Sequence, residues 1–559
     1  MPLILVLTSL VIFASQSSAV VKSGVACSPK GKTQSVGNLK YTCVLIGKKL
    51  VWNSGVKVPQ IPVVTNTTVS LSVLTGQQNG KVTGNPKLPA GWALVSGYYI
   101  GPGANLKDAN LSGANLYGLN LDAADLTRTN FTGAKLGNVN FNDAVMSGTI
   151  LTNADMSGSV LSGINTVMSG GIKSGGITGN QIPSLPSNWK LLGGYLIGPA
   201  MNLSGADFTN IDLSNANCTN CDLTNTKFPS LQVNSAKFDF ADLSGTALAA
   251  TNFVNTSFLG AKLSNLTFSG VLAKVSFQAA DLTGANLSTA NFASISSGAI
   301  IGIPLVPNSW TLRAGFLLGP SSDLSNTDLS GIDLSNLNMN SANLSNSLLS
   351  GTNISNTNLA NSVLKGIRSS KLIGSPISLP ASWGIANGYL VGPGADLTNA
   401  NLKGANLTGT SLCGATLTGV ISGGITADST ANLCATLISG YLLGIQGQNL
   451  SGADFSNVDF LPYVLKGVDL FTGDNLTNAN FSGARLYYVS FANTDLSGAN
   501  LSNSILTNAN FTSATLINVN LSGANLTGAT FTGVKSGGVI GTPATLPNGF
   551  ALVNGVFYG

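Results

Sequence analysis

Large apolar residues recur every five positions along most of the chain. From Ala104 the residues read ANLKD ANLSG ANLYG LNLDA ADLTR TNFTG, and the apolar centres continue in unbroken steps of five from Leu106 to Leu161. A helix repeats about every 3.6 residues and a simple strand about every 2. A period of five therefore predicts neither element alone, and it indicates a structure built from short segments separated by regular turns.

The position of each residue within the pentad predicts where its side chain points. If the large apolar residue is position i, an extended backbone places i−2 and i on one side and i−1 on the other. Small Ala and large Leu or Phe then face a core, and Asn or Asp faces water. The next two residues are often Ser-Gly, Thr-Gly or Ser-Asn, and Gly and Asn tolerate the positive φ that tight turns need. The repeat therefore predicts that most Phe residues lie in the core and that most Asp residues lie on the outer surface.

This A(D/N)LxG pattern resembles that of the pentapeptide-repeat family. The resemblance implies an all-β fold, a right-handed quadrilateral β-solenoid with four pentads per coil and one pentad per face. Successive coils would lie about 4.8 Å apart, so residues twenty apart should stack. We therefore expect Lys227 to lie over Asp207, and Lys262 to lie between Asp242 and Asp281 once a missing residue is allowed for.

Interruptions of the period divide the chain into five predicted solenoid blocks, with about 15 coils in all. One residue is missing between Phe268 and Leu272, and one is added between Leu470 and Leu476, so we expect local bulges there. The predicted blocks are residues 104–165, 201–295, 322–368, 395–420 and 448–535. The predicted linker modules between and around them are residues 82–103, 166–200, 296–321, 369–394, 421–447 and 536–559.

A second motif recurs in these linker modules. It combines Leu-Pro, an aromatic residue, an alternating apolar stretch and Gly-Tyr, and its tryptophans are Trp92, Trp189, Trp310 and Trp383. Proline and glycine stop a coil, and the alternating stretch predicts a strand. Because a solenoid end exposes unpaired strand edges, we expect the module to cover one block and restart the next, which makes the solenoid segmented. The alternative is that the tryptophans form a carbohydrate-stacking platform.

The N-terminus predicts export. The apolar run from Leu3 to Ala14, followed by small residues up to Ala19, is typical of a signal peptide over residues 1–19. It is too short to span a membrane. Residues 20–60 are predicted to form a basic Cys-paired hairpin module, and most of this stretch resembles a small basic two-cysteine module that follows signal peptides in secreted actinobacterial proteins. Residues 61–81 are predicted to form a linker.

Six cysteines in an exported chain favour disulfides. Their spacing suggests three local pairs. The bridge nearest the N-terminus would connect to a β-hairpin that turns at Gly47-Lys48. It would stabilise a module that is too small for a core of its own. The candidate pairs are Cys27 with Cys43, Cys218 with Cys221, and Cys413 with Cys434.

Composition excludes most active-site chemistry. The 559 residues include 67 Gly, no His and no Glu, and only 8% are charged. Without His there is no Ser-His-Asp or imidazole metal site, and without Glu there is no HExxH base. We predict no catalytic, cofactor or metal residues and no enzyme activity. An acid/base pair made only of Asp is left as an open alternative.

Charge is concentrated at the N-terminus. Seven lysines precede residue 60 and no acidic residue does, which suggests attraction to an anionic envelope polymer or a glycan. A solvated lysine cluster is the alternative. The leading hypothesis is a non-enzymatic scaffold, secreted or associated with the cell envelope, that presents polar faces to the envelope or extracellular matrix. A glycan-binding adhesin that uses the Trp modules is the runner-up.

Three other partners are disfavoured by the sequence. Some pentapeptide-repeat proteins are DNA mimics with a strongly acidic face, but Lys interrupts the Asp columns here. Ice binding needs uniform Ser or Thr rows, and the i+1 column is too mixed. Nucleic-acid binding is not supported, and no other stretch is long and apolar enough to span a membrane.

Overall fold

The computed structural model describes residues 22–36, 39–57, 69–70, 74–75, 82–164, 170–181, 183–248 and 250–559. Nearly all regular structure in these residues is β, and the repeat blocks wind into a β-solenoid of about 15 turns. The predicted fold class is therefore confirmed. A short α-helix, Leu461–Val464, interrupts the last block. The predicted signal peptide and most of the predicted linker 61–81 lie outside the described residues.

The basic module is a small antiparallel sheet of four strands. Cys43 faces Trp52 across one pair of strands, and both side chains are buried. The disulfide between Cys27 and Cys43, with Cα atoms 5.8 Å apart, closes this small core. The predicted hairpin turns at Gly47-Lys48 as expected. The strands are Thr33–Val36, Leu39–Ile46, Lys49–Trp52 and Val56–Lys57.

The solenoid wall is built from parallel pairing between coils. The N–H of Leu106 donates to the carbonyl of Asp125 at 2.8 Å, and the N–H of Asp125 donates back to the carbonyl of Ala104 at 2.9 Å. Most pairs are isolated bridges about twenty residues apart. Longer parallel strands form at Gln232–Asn234, Asn252–Val254, Val271–Ala273 and Asn291–Ala293, at Leu348–Ser350 and Arg368–Ser370, and at Thr515–Ile517 and Lys535–Gly537.

The predicted stacking of charged residues is confirmed. The Nζ atom of Lys227 lies 3.2 Å from Oδ2 of Asp207, and that of Lys262 lies 3.0 Å from Oδ2 of Asp242. The backbone of Lys262 also pairs with the backbone of Asp281, which is nineteen residues further along the chain. The missing residue therefore shortens one corner without shifting the column, because Val271–Ala273 keeps its register with Asn252–Val254.

The predicted position of the second irregularity was wrong. Phe471, and not Leu470, is the central residue of its pentad, because the N–H of Asp474 donates to its carbonyl as the regular turn requires. Residues that pair between the coils on either side of this point are 26 positions apart in the sequence instead of 20, as are Asp459 and Arg485. The chain therefore inserts six residues after Phe460, in and around the short helix, and bulges outward there.

Each linker module contains an antiparallel hairpin that crosses the solenoid. Within the described residues there are six such crossing hairpins, numbered here from first to sixth along the chain. They are Ala93–Val95 with Tyr98–Ile100, Lys190–Leu192 with Tyr195–Ile197, Thr311–Arg313 with Phe316–Leu318, Gly384–Ala386 with Tyr389–Val391, Thr436–Ile438 with Tyr441–Leu443, and Ala551–Val553 with Val556–Tyr558.

The turn of a crossing hairpin reaches another side of its own coil. In the second hairpin the carbonyl of Gly194 accepts the N–H of Ile177 at 3.0 Å, and in the third the carbonyl of Gly315 accepts the N–H of Ile300 at 3.1 Å. Neighbouring side chains of the returning strand then face opposite coils: Leu317 packs with the preceding core and Leu318 with the following one. The hairpin is thus a partition across the lumen.

The wall nevertheless continues past these partitions. Lys173 pairs with Asn202 across the second crossing hairpin, and Ser296 pairs with Asp323 across the third. At the third hairpin the expected segmentation therefore applies to the apolar core, while at least one column of the parallel ladder runs through. The physical reason is that a hairpin fills the interior of a coil and leaves part of the wall free to pair.

Candidate functional site

The four tryptophans pack inside their own modules. Trp189 and Trp310 are only 6% and 8% exposed, and Trp92 and Trp383 are partly buried. Each indole ring lies against the glycine nine residues later, and a Cβ on Gly198 would come within 2.7 Å of Trp189. A glycan needs an open ring face on which to stack. The burial of these rings therefore favours the capping interpretation over the carbohydrate platform.

A serine beneath the crossing hairpin was missed by the sequence interpretation. At the central position of the preceding pentad, where Leu or Phe is usual, a serine hydroxyl accepts an N–H from the returning strand. The Leu196 N to Ser174 Oγ distance is 2.9 Å, and the Leu390 N to Ser369 Oγ distance is 2.7 Å. The signal was present in the sequence, since a short Ser-containing motif recurs before the hairpins, with its serine at Ser174, Ser297, Ser369, Ser422 and Ser536.

A tyrosine hydroxyl replaces a missing wall partner above three of the hairpins. The hairpin separates two coils, so a backbone N–H of the next coil loses its usual carbonyl acceptor. Tyr195 accepts the N–H of Asp207 at 3.3 Å, and Tyr98 and Tyr441 accept the equivalent N–H groups of the coils that follow them. These hydroxyls satisfy polar groups at an exposed strand edge.

Two disulfides reinforce the solenoid. Cys218 and Cys221 are both buried at inward positions, and they join neighbouring sides of one coil. The other bridge, Cys413 to Cys434, stands next to the fifth crossing hairpin, where Ala435 occupies the position of the tryptophan. This module, which has no aromatic ring at that position, is therefore held by a covalent bond instead.

The outward Asp side chains serve the corner turns. In the usual arrangement Oδ1 accepts the N–H of the residue two positions on, as in the 3.0 Å bond from Thr209 to Asp207. Hydrogen bonds from Thr209, together with Lys227, lower the pKa of Asp207 to about 2. Ser157 lowers the pKa of Asp155 in the same way. Such carboxylates stay ionised and are poorly suited to proton transfer near neutral pH.

One carboxyl group departs from this pattern. Asp474 occupies an inward i−2 position, where Ala is usual, and its Oδ1 accepts the N–H of Gln448 at 2.9 Å. Both side chains are buried, and Asp474 Oδ2 and the amide group of Gln448 have no hydrogen-bond partner. Burial raises the pKa of Asp474 to about 7. The Asp474 side chain points into the interior of the solenoid and is only 2% exposed.

The described part of the chain holds no group of three or more Cys or Asp side chains placed to bind a metal ion. A groove of about 640 Å³ runs over Ser244–Leu248 and its neighbours in the next coil, and its polar lining residues are Ser, Thr and Asn, with no Asp. No helix among these residues has the length and apolar character needed to cross a membrane.

The lysines of the basic module are exposed. The side chains of Lys22, Lys30, Lys32, Lys40, Lys48 and Lys49 all face solvent. Leu45 and Ile46, at the tip of the hairpin, are 52% and 63% exposed beside two of these lysines. The module therefore combines positive charge with an apolar tip.

Comparison with known proteins agrees with the repeat architecture. The family described as pentapeptide repeats matches eight segments of the chain, at residues 102–128, 124–163, 202–239, 236–272, 327–366, 393–421, 471–503 and 494–533. No curated protein matches the chain.

Three solved structures illustrate the range of similar chains. HetL, a pentapeptide repeat protein involved in heterocyst differentiation regulation from the cyanobacterium Nostoc, is 20% identical over 61% of this chain and 90% of its own, with a TM-score of 0.12. QnrB1, a plasmid-mediated fluoroquinolone resistance protein, is 17% identical over 60% of this chain and 90% of its own, with a TM-score of 0.12. A pentapeptide repeat protein from the thylakoid lumen of Arabidopsis thaliana is 34% identical over 16% of this chain and 58% of its own, with a TM-score of 0.09.

Proposed function

Because this chain belongs to the pentapeptide-repeat family through its repeat blocks, we propose that it is a non-enzymatic secreted scaffold. Its long polar walls meet components of the cell envelope or extracellular matrix. The basic N-terminal module helps to hold it there, and an anionic polymer or glycan is the partner.

The observation that carries this proposal is the way in which the outward side chains are held. In the last block, Asn480 Nδ2 donates to Asp454 Oδ1 at 3.0 Å, and Asn500 Nδ2 donates to Asn480 Oδ1 at 3.1 Å. The same oxygens accept N–H groups of their own corners. A wall of such side chains is rigid and polar, and a preorganised polar surface loses little conformational entropy on binding.

The chemistry of the carboxyl groups supports a binding role over an enzymatic one. General acid/base catalysis near neutral pH needs a group with a pKa near 7 within reach of substrate. The outward Asp207 has a pKa of about 2, and the inward Asp474, with a pKa of about 7, is buried. Neither combines access with a suitable proton affinity.

Fractionation tests this function. The purified full chain, incubated at low salt with envelope fractions and extracellular polymer from the source organism, is expected to sediment with one of them and to be released by added salt. A variant in which Lys22, Lys30, Lys32 and Lys40 are changed to Gln should bind more weakly. Failure of the unmodified chain to associate with either fraction at low salt would show that the proposed location is wrong.

A further inference from the structure

The basic module ends in a hairpin tip that is both apolar and positively charged. Leu45 pairs with Leu50, and Ile46 pairs with Lys49, on either side of the turn at Gly47-Lys48. The core of the module lies further back, around Cys43 and Trp52. The tip extends beyond that core, so the side chains on both faces of its first strand are in solvent.

We propose that this tip, Leu45–Lys49, inserts into the surface of an anionic lipid bilayer. The inference rests on the proposed function, since it keeps the basic module as the element that holds the protein at the envelope, and it names anionic lipid in place of a polymer or glycan as the partner of that module. Leu45 and Ile46 enter the boundary between head groups and acyl chains, while Lys48 and Lys49 stay at the level of the lipid phosphates. The long methylene stems of lysine allow this arrangement at an interface.

Charge complementarity supports this partner. All six lysines whose side chains are described in the module are exposed, and the first acidic residue of the whole chain is Asp108. The module therefore presents positive charge without an internal partner. Each basic residue close to an anionic membrane strengthens the attraction between the module and the membrane, and this attraction falls off within a Debye length.

The exposed apolar tip favours a lipid surface over a soluble polyanion as the partner of the module. A polymer of phosphates or carboxylates would bind the lysines and would gain nothing from Leu45 and Ile46. Two adjacent large apolar side chains in water are instead stabilised when they enter an apolar phase. Their position beside the lysines means that both contributions act in the same orientation of the module.

Vesicle binding by the full-length protein tests the inference. We expect sedimentation with vesicles of phosphatidylcholine and phosphatidylglycerol, and little with vesicles of phosphatidylcholine alone. Changing Lys48 and Lys49 together to Gln should weaken binding about 30-fold, from the contribution of two basic residues near an anionic surface. Changing Leu45 and Ile46 together to Ser should weaken it roughly tenfold at the same salt concentration.

Matched controls come from the solenoid. The pair Ile301→Ser and Ile303→Ser removes two exposed apolar side chains elsewhere, the second of them 82% exposed. The pair Lys403→Gln and Lys466→Gln removes two exposed charges. Neither control should change vesicle binding by more than about twofold. An intact Cys27–Cys43 bridge, read by mass spectrometry without reduction, together with an unchanged near-UV circular dichroism spectrum, shows that the tip variants keep the fold of the module.

Three results would overturn the inference: no binding to the anionic vesicles, equal loss in the solenoid controls, or unchanged binding of the Leu45 and Ile46 variant. The last result, together with loss in the Lys48 and Lys49 variant, would identify a soluble polyanion as the partner, and inorganic polyphosphate should then compete. If vesicles fail while envelope fractions still bind, the proposed function stands without lipid. If both fail, the proposed function is also wrong.

Discussion

At the scale of single residues, the inward i−2 position shows that the repeat selects for small side chains. Ala is the commonest residue at this position, followed by Thr and Ser, and most of these side chains are buried. Asp474 stands at this position with one carboxyl oxygen unpaired, above Gln448 with an unpaired amide. A polar group buried without a partner costs free energy. The pair is therefore a local weakness of the last block.

Asp474 should make the stability of this block depend on pH. Its folded-state pKa is about 7, above the value near 4 expected when unfolded, because burial outweighs the hydrogen bonds from Gln448 and Gly447, and nearby Asp469 adds repulsion. As the pH rises, the carboxyl group of Asp474 therefore loses its proton in the unfolded state before it does so in the folded state. The free energy of unfolding should fall by about 1.4 kcal/mol per pH unit between about pH 4 and pH 7, and level off above.

Substitution checks this dependence. Asp474→Ala restores the usual residue, so it should stabilise the protein at pH 7.5, change it little at pH 4, and remove the slope, as measured by denaturant unfolding across that range. Asp495→Ala, in the next coil, removes an exposed carboxyl and serves as the control. A slope that survives Asp474→Ala would mean that another group causes it.

The contact between tryptophan and glycine in the first four linker modules is a second test at this scale. Gly198→Ala would place a Cβ 2.7 Å from Cδ1 of Trp189, and overpacking of this kind costs about 1–3 kcal/mol of stability. The loss should be smaller when Trp189→Ala is already present. Gly537→Ala, with no atom near its Cβ, is the control. Equal losses in both backgrounds would show that the two residues are not coupled.

At the scale of elements, the crossing hairpin must provide a hydrogen-bond acceptor for a backbone N–H group of the coil that follows it. Tyr195→Phe would leave the N–H of Asp207 without its acceptor, at a cost of about 1–3 kcal/mol. The third hairpin carries Phe316 at the equivalent position, twelve residues before Asp328. Phe316→Tyr should therefore stabilise the protein by about 0.5–1.5 kcal/mol. Thermal unfolding of both variants measures this. A loss of stability in Phe316→Tyr would contradict the proposed role of the hydroxyl.

At the scale of the whole molecule, the partitions divide the apolar core. The described core forms separate clusters that meet at the third, fourth and fifth crossing hairpins, whereas it is continuous across the second. Repeat proteins with mainly nearest-neighbour contacts can open one part at a time. We expect these clusters to unfold as separate cooperative units.

Hydrogen exchange can show this independence. Leu407→Ala removes a buried side chain from the cluster between the fourth and fifth crossing hairpins, at a cost of about 2–5 kcal/mol. Amide protection should fall within residues 395–433 and stay unchanged in residues 476–531. The reverse control, Leu501→Ala, should affect only the last block. Protection lost throughout the chain in either variant would show that the solenoid unfolds as one unit.

The sequence alone was enough for the features that depend on local alternation. The five-residue period predicts which side chains face inward, and the constant coil length predicts that Lys227 stacks on Asp207. These predictions succeed because each pentad repeats the same backbone conformation. The choice of Leu470 as a centre failed because Leu470 and Phe471 are both apolar, and only the pairing of the neighbouring coils distinguishes them.

What the tertiary structure decided is how the linker modules fit into the coil. Their alternating residues predict strands, but the sequence does not say whether a hairpin lies outside the solenoid or across it. The crossing arrangement follows from long-range contacts, such as Leu196 with Ser174 and Gly194 with Ile177. Likewise, the period marks Asp474 as inward, but its unpaired oxygen and raised pKa depend on the coils stacked around it. Local chemistry determines the pentad, and contacts between distant coils determine how the core is divided.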